Sequence, residues 1–181
     1  LHPRVRRQRQ MCIRDRDILK SLIMLYSMEE GLGDSSELVT MLDDAIAGDP
    51  QNIELWFSRA QIFVSLEDYD EAIASLEKAI ELNPQSYEAQ FFTGYYIIMK
   101  ADALNQEANE KEYTNAGEYE ADQKEILSIY SQAVPYLEVA HEIMPQNPDP
   151  VQLLKTLCYR LRDEPGMMEK YEKYNELYKQ M

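Results

Sequence analysis

Outside residues 1–16 the chain carries one histidine, His141, and one cysteine, Cys158. A metal centre built on imidazole and thiolate draws several such ligands at close spacing, so His141 reads as an ordinary helix-surface residue. Cys158 falls on an apolar helix face and reads as a buried core thiol. A Ser-His-Asp set is defined in space, so spacing alone does not decide it. The serines, however, fall at turns and on helix surfaces, with none in a nucleophile-elbow context. No glycine-rich loop follows a strand, which leaves phosphate cradling without support. The carboxylate runs, Asp43-Asp44 and Glu107, Glu110 and Glu112, read as solvated faces. The sequence therefore assigns no catalytic residue, no metal ligand and no cofactor, and the expectation is a protein that is not an enzyme. With Cys12 in the first 16 residues, no disulfide framework exists, which is neutral on compartment.

The elements that would hold any site are clearer. Residues 53–84 read IELWFSRAQIFVSLEDYDEAIASLEKAIELNP. Trp56, Ala60 and Phe63 are spaced as one face of a first helix. Ile73, Leu76, Ala79 and Ile80 recur at three and four in a second. Ala60 and Ala72 are small at matching levels, so two helices can cross closely there, with Trp56, Phe63, Leu76 and Leu82 filling the space around them. Asp68 or Asp70 can cap the second helix, with Glu71 in its first turn. Asn83-Pro84 ends it, because proline disfavours helical geometry in the residue before it.

This segment, residues 53–86, resembles a tetratricopeptide repeat, a helix pair of 34-residue period with Trp, Leu-Gly, Tyr, Ala, Phe and Pro at fixed places. Trp56, Ala60, Phe63, Ala72, Leu76 and Pro84 stand at those places, and Arg59 replaces the leucine. The resemblance implies an all-α fold, a right-handed superhelix of antiparallel helix pairs, that binds other proteins. The same register extends both ways. Upstream, GDSSELVTMLDDAIAGDP closes on Pro50, with Leu42 and Ala45 answering Leu76 and Ala79. Its first helix would run over residues 17–30, where Tyr26 occupies the small position. Downstream, residues 90–99 read as a first helix with Gly94 at the small position. The matching second helix, with Ala133, Leu137, Ala140 and Pro145, comes about 27 residues later than the period allows.

The intervening ADALNQEANEKEYTNAGEYEADQKEIL is rich in helix formers around a turn-like Thr114–Gly117. Its composition favours two prolonged helices in a protruding hairpin over an acidic loop. Ala101, Leu104 and Ala108 would form one arm's seam, and Tyr119, Ile126 and Ile129 the other's. The last unit spans 148–181. Val151, Leu154, Leu157, Cys158 and Leu161 form one helix. Pro165 suits the start of the next, whose inner face would be Met168, Tyr171, Tyr174, Leu177 and Tyr178. The expected domain is 17–181, with repeats at about 19–52, 53–86, 87–147 (insertion 100–127) and a capping 148–181. Its arrangement is similar to bacterial tetratricopeptide proteins in which one repeat has lengthened helices.

Residues 1–16 hold six arginines and one acid, and break sharply from the rest. They read as a non-native leader resembling a translated adapter, against the alternative of a basic arm for nucleic acid or anionic lipid. On that reading the protein begins further upstream, and the compartment, cytoplasmic or exported, stays open. Of the chain's 18 basic and 33 acidic side chains, 12 and 32 lie beyond residue 16. Nucleic-acid recognition needs clustered Lys and Arg, so a partner of that kind is not expected, nor is membrane insertion. Such a charge favours solubility and speeds encounter with a basic partner.

In the family, the first helices of successive repeats line a concave groove. That implies groove positions at Ile23 and Ser27, then Glu54, Phe57, Gln61 and Val64. The next repeat contributes Glu88, Phe91, Tyr95, Ile98 and Met99, and the last contributes Gln152, Thr156 and Tyr159. Members that clamp a C-terminal carboxylate use Lys and Asn where this chain has Phe57, Gln61, Phe91 and Tyr95. The expected partner is instead a protein or peptide with apolar anchors and some basic residues. Phe91 and Tyr95 could alternatively pack against the next helix. The oligomeric state is open.

Overall fold

The structure, a computed structural model, describes residues 35–181. The leader and the first helix expected over 17–30, with Ile23, Tyr26 and Ser27, lie outside the described residues. Seven helices follow one another among those described: α1 Ser35–Gly48, α2 Ile53–Ser65, α3 Tyr69–Leu82, α4 Tyr87–Glu110, α5 Ala116–Ile143, α6 Pro148–Arg160 and α7 Met167–Lys179.

Each start has a local cause. Asn52, Asp68, Ser86, Asn115 and Asn147 stand at N-caps, and each side-chain oxygen accepts a backbone N–H of the first turn. That satisfies donors that a helix leaves orphaned. Between the two candidates for α3, the cap is Asp68, which accepts from the Glu71 N–H at 3.2 Å. Asp70 instead meets Lys100 Nζ at 2.5 Å. The α2–α3 turn is a Schellman motif: Asp68 N–H donates to the Phe63 carbonyl at 2.9 Å and Glu67 N–H to that of Val64 at 3.0 Å. Glu67 takes the left-handed conformation this requires, with φ 59°.

Packing follows the small residues. Ala60, Phe63, Ala72 and Leu76 are buried together where α2 crosses α3. Leu38, Leu42 and Ile46, one stripe of α1, close on Leu55 and Ile62 of α2. Where α4 crosses α5, Gly94 is the contact point: a Cβ there would stand 2.8 Å from Leu137 Cγ and 3.2 Å from the Ala133 carbonyl. The two helices run antiparallel far beyond that crossing, because Tyr130 meets Asp102 and Lys111 meets Asp122 further along them. Ala101, Ala108 and Ile126 are buried between them, with Leu104 and Ile129 half-buried. Tyr119 is not part of that seam: it is 45% exposed and lies edge-on to Tyr113.

The same core continues through α6 and α7, where Val151, Leu154, Leu157, Cys158, Leu161 and Tyr174 are buried. Two details of α7 differ from expectation. Gly166, at φ 79°, is the residue before the helix, so Pro165 lies outside it. The inward methionine is Met167, one place earlier, and Met168 is 42% exposed.

Candidate protein-binding groove

Parallel chain direction brings three helices into register. The Asn147 amide donates to the Tyr87 hydroxyl at 2.7 Å, and Arg160 Nη1 meets Asp102 at 2.8 Å. These two contacts join the start of α6 to the start of α4 and their later turns to each other, so α4 and α6 run the same way. The α2–α3 and α3–α4 turns each reverse the chain, which gives α2 that direction too.

The predicted residues fall on these helices as follows. On α2, Glu54 and Gln61 are exposed, while Phe57 and Val64 are half-buried against the Ala60–Phe63–Ala72–Leu76 cluster. On α4, Glu88 is exposed and Met99 half-buried. Phe91 and Ile98 lean on the large core, whereas Tyr95 stays 38% exposed. Of the pair Phe91 and Tyr95, then, the first anchors the helix and the second faces outward. On α6, Gln152 and Thr156 are exposed and Tyr159 is 53% exposed, with its ring 5.3 Å from that of Tyr171.

The α4 rings form two rows with helical spacing. Tyr87 stacks on Phe91 at 5.6 Å, and Phe91 on Tyr95 at 6.2 Å, both nearly coplanar. Phe92 stacks on Tyr96 at 5.8 Å. Tyr96 rests on the α2–α3 core, and Phe92 remains 37% exposed. Phe92 was not among the expected groove residues, although the doublets Phe91-Phe92 and Tyr95-Tyr96, four apart, signal two rows rather than one. Tyr87's hydroxyl is pushed up from its ordinary value, first by burial and next by the Asp149 charge; its bond from Asn147 opposes this, and Glu88 adds to it. Both carboxylates therefore act on that one phenol.

Polar side chains elsewhere fasten helices. Arg59, in the place of the family's leucine, donates to Asp43 of α1 and Glu71 of α3 at 2.9 Å each and to Ser75 Oγ at 2.7 Å, with its guanidinium 4.5 Å above Phe63. Lys170 and Tyr174 both reach Glu138, tying α7 to α5. Burial pushes the fully enclosed Cys158 thiol up to about 11, which keeps it a thiol rather than a nucleophilic thiolate. His141 is half-buried rather than on the surface, its ring edge-on to Tyr174. Among the described residues no group of three or more His, Cys, Asp or Glu is placed to hold a metal ion, and no helix is long and apolar enough to cross a membrane.

Several known proteins are similar to this chain in part. Residues 53–86 match the family profile described as tetratricopeptide repeat. Human tetratricopeptide repeat protein 28 is 35% identical over 75 residues, 40% of this chain, and the match spans 3% of that protein's length. Among solved structures, "MamA MSR-1 C2" aligns with a TM-score of 0.52 at 18% identity, over 82% of this chain and 70% of that one. The pilus biogenesis factor PilW aligns at 0.37 and 21% identity, over 91% and 76%. Residues 53–86 are thus similar to a tetratricopeptide repeat, set within an all-helical array of antiparallel pairs among the described residues.

Proposed function

We propose that the protein is a non-catalytic scaffold that holds a protein or peptide segment across the α2, α4 and α6 face. The observation that carries this is the exposed set of Gln61, Tyr95 and Tyr159 on three alternate helices running the same way, beside the half-buried Phe57, Val64 and Met99. Exposed aromatic side chains on a rigid helical platform supply contact area at little entropic cost and tend to be the energetic centres of interfaces. The repeats are taken as 53–86, 87–147 with the extended hairpin 100–127, and 148–181 as the closing unit. Glu54 and Glu88 favour basic residues flanking the partner's apolar anchors.

The test is capture from source-cell lysate by the full chain and by Gln61→Ala/Tyr95→Ala/Tyr159→Ala. These side chains are exposed, so the variant keeps its helicity. Proteins held by the parent and lost with the variant support the reading. An identical captured set for both, at equal helicity, contradicts it.

A further inference from the structure

We infer that the partner segment is cationic and arginine-bearing, lying with its charges along a rim formed by Glu54, Glu88 and Asp149 and on the exposed rings of Phe92 and Tyr95. The inference rests on the groove reading above and adds the chemistry of the occupant.

Three observations converge. Glu54, Glu88 and Asp149 are each the second residue of their helix, in α2, α4 and α6. Because these helices run the same way, the three carboxylates stand at the same end of the groove. Acids in a first turn also favour the helix dipole, which explains one such residue on its own helix. It does not explain the aromatic surface beside them.

The second observation is that surface. Glu88, Phe92, Tyr95 and Met99 follow at four, three and four, so one face of α4 runs from a carboxylate to exposed rings and then to an apolar end. Phe92 and Tyr95 are more than a third exposed.

The third concerns where this chain's own cations go. Six rings elsewhere carry a Lys or Arg over their faces. Among the described residues, none stands over any of the five α4 rings. A guanidinium from outside can stack on Phe92 or Tyr95 and meet a rim carboxylate, gaining cation–π attraction and a charge-assisted hydrogen bond together. The chain's net charge of −15 steers such a segment inward.

The experiment titrates the full chain against two fluorescein-labelled twelve-residue peptides, one alternating Arg and Leu and one alternating Gln and Leu, at 0.15 M salt. The expected result is that the Arg peptide binds at least tenfold tighter. Glu54→Gln/Glu88→Gln/Asp149→Asn should weaken it at least tenfold while leaving the Gln peptide unchanged. Glu107→Gln/Glu112→Gln/Glu120→Gln on the exposed hairpin removes the same charge and should change binding less than twofold. Phe92→Ala/Tyr95→Ala should weaken both peptides. Circular dichroism of each variant, and the three single rim variants, separate lost contacts from lost folding.

Equal weakening by the two acidic triples would reduce the effect to net charge and overturn the inference. Equal affinity for the two peptides, or no binding of the Arg peptide, would overturn it as well. The groove reading would survive that result if the Gln peptide still responded to Phe92→Ala/Tyr95→Ala, and would fall with it if neither peptide did.

Discussion

Arg59 of α2 donates its Nε–H to Asp43 of α1 at 2.9 Å, across a position where the repeat family places leucine. The same guanidinium reaches Glu71 of α3. One side chain, 16% exposed, thus joins three successive helices where an aliphatic residue would join only its neighbours. Arg59→Ala removes these bonds together with the packing on Phe63. It should cost about 2 kcal/mol, since the two carboxylates it leaves are half-exposed and can rehydrate. Asp43→Asn, at the exposed end, should cost less than about 1 kcal/mol. Urea unfolding at pH 7 compares them; equal costs would mean that the bridge is a surface pair only.

Backbone sites give changes of opposite sign. Gly94→Ala drives a Cβ into Leu137 and should destabilise by about 1–3 kcal/mol. Gly48→Ala, at the end of α1 with open space around it, should stabilise by about 0.5 kcal/mol. Glu67→Gly relieves the left-handed residue of the α2–α3 turn and should stabilise by about 0.5–1 kcal/mol. Thermal melts rank the three, and a destabilised Glu67→Gly would contradict the turn geometry.

Alkaline pH should loosen the fold. Burial, reinforced by the bond to Glu77, pushes the Tyr136 hydroxyl up to about 12, and burial pushes the Cys158 thiol up to about 11. Their ordinary values are 10.0 and 9.0. A raised folded pKa means that the native state holds its proton longer than the unfolded state, so stability falls as pH rises between the two values. The loss begins near pH 9 with Cys158 and continues to about pH 12 with Tyr136. Chemical denaturation at pH 8, 10 and 11 should show that decline, and Cys158→Ala should flatten its first part. Unchanged slopes in Cys158→Ala would place the thiol outside the coupling.

Phe91 and Tyr95 share a ring stack but not a role. Phe91→Ala removes a ring leaning on the core of α4–α7 and should cost about 2 kcal/mol or more. Tyr95→Ala and Tyr159→Ala, at exposed positions, should each cost within about 0.5 kcal/mol. The denaturation midpoints decide it; a large loss for Tyr95 would move that ring into the core and out of the groove.

The helices were legible because their causes are local. Asp68, Asn83-Pro84, the small Ala60 and Ala72, and the periodic Ile73–Ile80 are signals that a single segment carries. Met167 takes the inward place expected of Met168, because it stands one turn, four residues, before Tyr171; Tyr171, Tyr174, Leu177 and Tyr178 keep the face that periodicity gave them. Tyr119 looked like a seam residue by periodicity, yet near the hairpin tip it meets Tyr113 instead of a facing helix. Arg59 was visible only as a departure from the family pattern; its partners Asp43 and Glu71 lie on other helices, and only the fold brings them together. The candidate groove was readable as a set of helix positions. Which of its rings are anchors and which are surface was not, because burial depends on the neighbouring helix.

The central claim is that a partner lies along α2, α4 and α6. Its most direct test is site-specific photo-crosslinking in source cells, with a photoreactive phenylalanine placed singly at Gln61, Tyr95 and Tyr159, and at Lys78 on the outward side of α3 as reference. All four positions are exposed. The account predicts one common crosslinked protein from the three groove positions and none of it from position 78. Crosslinks to that protein from position 78 alone, or from all four alike, would contradict it.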